Sequence, residues 1–148
     1  MIGGQKMPDI ILVSGGFDPI HSGHIKLIND ANKYGDVVVL LNSDKWLRNK
    51  KGKEFLPFSE RQIIMQNIKG VLDVLDFDDS DQTCVDGILK AMNIFKNNII
   101  KFANGGDRNN KTTPEKEFCD QYNIETLFGI GGNIKSNSSS LILKKWND

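Results

Sequence analysis

The sequence predicts an α/β protein, one domain of 148 residues built on a parallel, doubly wound sheet. Three observations carry this. Short, continuous apolar runs recur along the chain, as strands buried on both faces require. Stretches with helical spacing of apolar residues separate them. The first run passes into a glycine-rich turn that opens directly onto a helical stretch.

The elements follow in order. Ile10 to Ser14 reads as a buried strand, and His24 to Lys33 as a helix with Ile25, Leu27, Ile28 and Ala31 on its apolar side. Gly35 ends that helix, and Val37 to Leu41 is the second buried strand. Lys45 to Phe58 is basic, polar and aromatic and reads as a loop. Ser59 is placed to cap a helix reaching about Lys69, and Val71 to Phe77 is the third strand. A helix over Cys84 to Met92 and a strand over Ile99 to Ala103 follow. Pro114 stands at a favoured first helical position after Thr113. Glu125 to Gly129 is a short fifth strand, and Ser138 to Lys145 is a last helix started by serines. The sum is a Rossmann-like three-layer arrangement, a five-stranded parallel sheet flanked by helices, with residues 1–8 as a flexible lead. Ligands of such sheets bind beyond the carboxyl ends of the strands, where strand order reverses.

Composition narrows the function classes. Hydrophobic residues make up 39% and charged residues 26%, the balance of an ordinary globular protein. The 19 basic and 19 acidic side chains cancel, and no basic stripe or tail appears, so nucleic acid is not an expected partner. No apolar run approaches membrane-spanning length, and the N-terminal residues lack the form of a signal peptide. Cys84 and Cys119 stand far apart and read as reduced thiols of a cytoplasmic protein. The acidic run Asp76 to Asp81 lacks the glycine and terminal glutamate of a calcium loop and reads as a solvated connection.

The turn after the first strand concentrates the chemistry. Gly15 and Gly16 permit close approach of backbone to ligand, or a positive φ. Gly23 removes a side chain where a phosphate or sugar would press. The chain's two histidines, His21 and His24, fall one helical turn apart at a helix start, where unsatisfied N–H groups and the dipole favour anions. Both rings can donate to phosphate oxygens. A capping role and a metal role compete with this reading, but no third ligand is spaced to complete a zinc site. Nothing in the sequence reads as a P-loop or a G-x-G-x-x-G dinucleotide turn.

Gly16-Phe-Asp-Pro-Ile-His-Ser-Gly-His24 resembles the HxGH signature of the cytidylyltransferase-like nucleotidyltransferase superfamily. The resemblance runs from about Asp9 to Trp146. Asn42-Ser-Asp44 with Lys51-Gly52 is similar to a stretch of heptose-1-phosphate adenylyltransferase domains, in which the lysine is associated with phosphates. Arg48, Lys50, Lys51 and Lys53 form a basic cluster there, with a solvated face as the alternative reading. Glu60-Arg61 resembles the family's arginine segment, with a structural pairing to Asp73 or Asp76 as the alternative. Asn104-Gly-Gly-Asp107 resembles the element beside the nucleotide sugar and base. Ser138, Ser139 and Ser140 stand where the family's serine/threonine signature precedes the last helix. Gly16 replaces a common Thr or Cys, and Lys135-Ser136 stands where Gly-Ile or Gly-Cys is common.

The resemblance implies transfer of AMP or CMP from an NTP to a phosphorylated sugar or polyol, with release of pyrophosphate. Adenylyl transfer to a sugar 1-phosphate is the favoured form. Alternatives are cytidylyl transfer to glycerol 3-phosphate or a similar phosphate, activation of a nicotinamide or pantetheine phosphate, and a non-catalytic nucleotide-binding module. His21, His24 and Lys51 are the expected catalytic residues. Gly15, Gly16, Phe17, Gly23, Gly105, Gly106, Asp107, Ser138, Ser139 and Ser140 are expected at the nucleotide, and Arg48, Lys51 and Arg61 at the acceptor phosphate. Mg²⁺ is expected with the NTP and no protein-held metal, and family members commonly form homodimers.

Overall fold

The computed structural model describes residues 7–105, 112–132 and 139–147. Strands β1 (Ile10–Gly15), β2 (Asp36–Leu41), β3 (Val71–Leu75), β4 (Ile100–Gly105) and β5 (Glu125–Ile130) form one sheet in the order β3-β2-β1-β4-β5. Every neighbouring pair is parallel. Helices α1 (Ser22–Asn32), α2 (Asp44–Lys51), α3 (Phe58–Gln66), α4 (Val85–Ile94), α5 (Pro114–Gln121) and α6 (Ser139–Asn147) complete the chain.

The side-chain period of two divides the strands between two cores. Ile10 and Leu12 of β1 join Val38 and Leu40 of β2, packing with Ile88 and Ala91 of α4 and Cys119 of α5. Ile11, Val13, Val37, Val39 and Leu41 face the other way, onto Ile28 and Ala31 of α1 and Met65 of α3. Central strands covered on both faces need apolar residues at every position, which is why β1 and β2 are legible as unbroken runs. Cys84 and Cys119 are free and buried, and burial pushes their thiols up to about 12 and about 11.

Strand order reverses between β1 and β4, whose successors run to opposite sides of the sheet. The crevice beyond Gly15 and Gly105 is therefore the expected ligand position.

Several local expectations change. Lys45 to Lys51 is not loop but the body of α2, capped by Ser43, whose hydroxyl accepts from Trp46 N at 3.1 Å. Gly52 ends it with φ of 94°, a backbone conformation that favours glycine. Only Leu47 of α2 is buried, so no apolar period marks it. Ser59 is not the cap of α3: Pro57 occupies that position, without a side-chain hydrogen bond, and the helix stops at Gln66. Thr113 does cap α5, accepting from Lys116 N at 3.1 Å. Within the stretch expected to be a lead, residues 1–6 lie outside the described residues, and the Pro8 carbonyl accepts from Asn98 Nδ2 at 3.0 Å. Within the acidic run, Asp79 is buried rather than solvated, for reasons given below.

Candidate active site

The turn between β1 and α1 is held from below. Phe17 is buried with φ of 50°, and its ring meets His24 edge-on at 4.8 Å. Gly16 has no room for a side chain, since a Cβ would come within 2.7 Å of Leu47 Cδ2. Helix α2 brings Leu47 and Trp46 over that face of Gly16.

His21 caps α1 and His24 lies three residues later, in a reciprocal capping box. His21 Nδ1 accepts from Gly23 N at 3.0 Å, and His24 Nδ1 accepts from His21 N at 3.2 Å. With Nδ1 an acceptor in each ring, the ring hydrogen sits on Nε2. The rings stack with centroids 3.8 Å apart, so two Nε2–H donors stand side by side at a helix N-terminus. Burial first, then the electrostatic influence of the neighbouring His21 and Lys51, pushes His24 down to about 3. It is therefore a neutral donor at pH 7. The capping reading of this pair is the one the geometry shows: both Nδ1 atoms accept backbone N–H groups at the start of α1.

Lys51, the last residue of α2, reaches this turn and donates from Nζ to Asp18 O at 2.6 Å. Its pKa lies below the ordinary lysine value, chiefly through burial. Asp18, itself 1% exposed, accepts from Phe55 N at 2.6 Å and Leu56 N at 2.8 Å. One residue thus binds both the lysine and the segment after it.

Arg61 corrects an expectation. It is not at an acceptor phosphate, because its side chain has no exposed surface. Nor does it pair with Asp73 or Asp76. Its guanidinium makes four hydrogen bonds: Nε to Leu56 O at 2.9 Å, Nη1 to Gly16 O at 3.0 Å and Asn42 O at 2.8 Å, and Nη2 to Asp44 Oδ1 at 2.7 Å. These partners lie on the β1–α1 turn, the end of β2, the start of α2 and the segment before α3. Arg61 positions the loops that carry the site.

Asp79 does similar work from the other side. Its carboxylate accepts from Asn42 Nδ2 at 3.0 Å, Ser43 N at 2.8 Å and Ser43 Oγ at 2.7 Å, fixing the residue that caps α2. Sequence reasoning assigned no role to Asp18 or Asp79. Asp18 had a signal in its place between glycines and Pro19; Asp79 had none within its acidic run.

Arg48 is committed to Glu54 by two hydrogen bonds, 2.8 and 3.2 Å, and this pair holds the Glu54 carboxyl below its usual range. Ser139, at the start of α6, donates from Oγ to Pro19 O at 2.8 Å, bringing the last helix onto the same turn. Ser140 and Lys51 line a cleft of about 400 Å³ beside it. Gly105 ends β4 next to the crevice, paired with Ile130. Gly106, Asp107 and Ser138 lie outside the described residues. Among the described residues, no group of three or more His, Cys, Asp or Glu side chains could hold a metal ion. No described helix is long and apolar enough to cross a membrane.

The cytidylyltransferase-like family model matches residues 12–143, from β1 through the histidine turn and α2 into α6. The chain belongs to the cytidylyltransferase-like family. It is a nucleotidyltransferase. This cytidylyltransferase-like chain is 29% identical over 121 residues to the glycerol-3-phosphate cytidylyltransferase of Bacillus subtilis strain 168, covering 81% of itself and 88% of that protein. It is also 29% identical over 135 residues to the bifunctional protein HldE of Helicobacter hepaticus. That match covers 89% of the chain but spans only 26% of the longer protein. A lipopolysaccharide core biosynthesis protein from Thermoplasma volcanium shares the fold, with a TM-score of 0.63 at 18% identity, over 88% of this chain and 99% of that one.

Proposed function

We propose that this nucleotidyltransferase moves AMP or CMP from an NTP to a phosphorylated sugar or polyol and releases pyrophosphate. The observation that carries the reading is the pair of stacked imidazoles at a helix N-terminus, each held by a backbone N–H on Nδ1, with Lys51 bound to the same turn. An oxygen of the acceptor phosphate attacks the α-phosphorus in line. The bond from that phosphorus to the bridging oxygen breaks, and its electron pair leaves with pyrophosphate. The nucleophile is already anionic, so no general base is needed. Catalysis lies in alignment and in donors aimed at growing charge.

In this reading His21 and His24 meet the triphosphate oxygens, and Lys51 bridges the triphosphate and the incoming phosphate. Ser139 and Ser140 act at the leaving pyrophosphate. Mg²⁺ would arrive with the NTP as the counter-ion of its triphosphate. Adenylyl transfer to a sugar 1-phosphate is the first form of the proposal. CTP with glycerol 3-phosphate is the second, favoured by the fuller coverage of the Bacillus cytidylyltransferase. The test is pyrophosphate release with four NTPs against sugar and polyol phosphates. Release with one pair is expected; silence across the whole panel overturns the proposal.

A further inference from the structure

The cleft beside Lys51 is built unlike the histidine turn. Its walls are the segment that follows α2, with Lys53 and Phe55, and the inner side of α6, with Ser140, Leu143 and Trp146. Trp146 is 80% exposed and Phe55 51% exposed. Bare aromatic rings facing one recess are a solvation cost that a bound partner would remove. The recess is also cationic, through Lys51 and Lys53. It is also anchored to the reactive turn twice, by Lys51 on the Asp18 carbonyl and by Ser139 on the Pro19 carbonyl. The recess therefore gathers cationic and aromatic side chains around one space that adjoins the histidine turn.

We propose that this cleft is the acceptor subsite, and that it takes the ring of a cyclic sugar phosphate against Trp146 and Phe55 with its phosphate at Lys51. The inference rests on the nucleotidyl-transfer reading above and narrows its acceptor class. Two properties of the cleft select a ring. Its volume of about 400 Å³ falls among small-molecule sites of roughly 300–1,000 Å³ and exceeds what a three-carbon chain fills. An aromatic face carries partial negative charge and attracts the polarised C–H groups that a sugar ring presents together on one side. A linear polyol phosphate offers no such face. Glu54 also borders the cleft; Arg48 already binds its carboxylate, which leaves the lysines to set the charge there.

The chain has two tryptophans, so Trp46→Phe leaves Trp146 as the only one and makes its fluorescence a direct probe of the cleft. The full-length Trp46→Phe protein is titrated with glucose 1-phosphate, mannose 1-phosphate, glycerol 3-phosphate, nicotinamide mononucleotide and inorganic phosphate. A saturable change is expected with an aldose 1-phosphate, at a concentration at least about tenfold below that needed by glycerol 3-phosphate. In the otherwise unaltered chain, Trp146→Ala should raise the acceptor KM about tenfold and the NTP KM less than about twofold.

Equal responses to ring and linear phosphates overturn the proposal, as does a response confined to the nicotinamide nucleotide. So does an acceptor KM unmoved by Trp146→Ala. A Trp146 shielded from acrylamide in a dimer that Trp146→Ala dissolves would assign the cleft to a second copy, and overturn it too. The two readings fail separately. Pyrophosphate release with glycerol 3-phosphate and a silent Trp146 removes the cleft assignment alone. Ring-selective binding without release from any NTP removes the transfer reading and leaves the cleft.

Discussion

The histidine turn and the α6 cleft meet at Lys51, yet they are held in opposite ways. Around the turn, polar groups are buried and paired: Asp18, Arg61, Asp79 and Asn42 link four segments through short hydrogen bonds. Around the cleft, α6 has no buried residue, and one described side-chain bond, from Ser139, ties it to the turn. Phosphoryl chemistry gains from donors that need no rearrangement when charge develops. An acceptor pocket gains from a surface whose walls can differ without disturbing those donors. The contrast predicts that changes at the turn act chiefly on rate, that changes at its scaffold act on stability and rate together, and that changes at the surface pair of Arg48 and Glu54 act on neither.

The strongest way to break the comparison is His24→Ala. Nucleotidyl transfer should fall about 10²–10³-fold with the fold intact, as for loss of one preorganised transition-state donor. Pyrophosphate release at the normal rate would remove His24 from the mechanism. Circular dichroism would show that the variant is folded.

Arg61→Met tests the scaffold. It leaves the Gly16, Asn42 and Leu56 carbonyls and the Asp44 carboxylate without their shared donor, so unfolding stability should drop by about 3 kcal/mol. Activity should fall with it, because the turn and α2 lose their common tie. Urea unfolding and an assay below the unfolding transition separate the two losses. A stable variant with weakened acceptor binding alone would return Arg61 to the phosphate site.

A milder effect is expected from pH. The folded protein holds His24 down at about 3, against an ordinary 6.5, so between these values the unfolded chain binds the extra proton. The support that neutral His24 lends the fold is complete above about 6.5 and is withdrawn as pH falls toward 3. Stability should therefore decline more steeply over that window in the wild type than in His24→Asn, as denaturant midpoints at a series of pH values would reveal. Parallel declines would mean that His24 is not buried as described.

The smallest effect belongs to Arg48→Gln. Its bond to Glu54 is an exposed surface pair, so the thermal midpoint should stay where it is. A large loss of acceptor affinity in this variant would show that Arg48 leaves Glu54 for the acceptor phosphate.

Much of this protein is legible in its sequence because hydrophobic pattern is a local property. β1 and β2 announce themselves as unbroken apolar runs, since every position in a central parallel strand is covered. The histidine pair is legible for a similar reason: glycines, a proline and a helix start lie within a few residues, and the capping geometry closes inside that stretch. Helix α2 was not legible from periodicity, because it buries only Leu47; its marks were the Ser43 cap and Gly52.

The tertiary structure decided which charges stand at the edge of the candidate site and which are enclosed by the fold. Arg61 and Lys51 are both basic residues beside the same loop. Arg61 disappears inside because acceptors from residues 16, 42, 44 and 56 converge on it, while Lys51 comes to the edge of the histidine turn. Asp79 leaves its acidic neighbours for the cap of α2 in the same manner. Whether burying a charge is favourable depends on partners that arrive from distant parts of the chain, and only the assembled sheet brings them together.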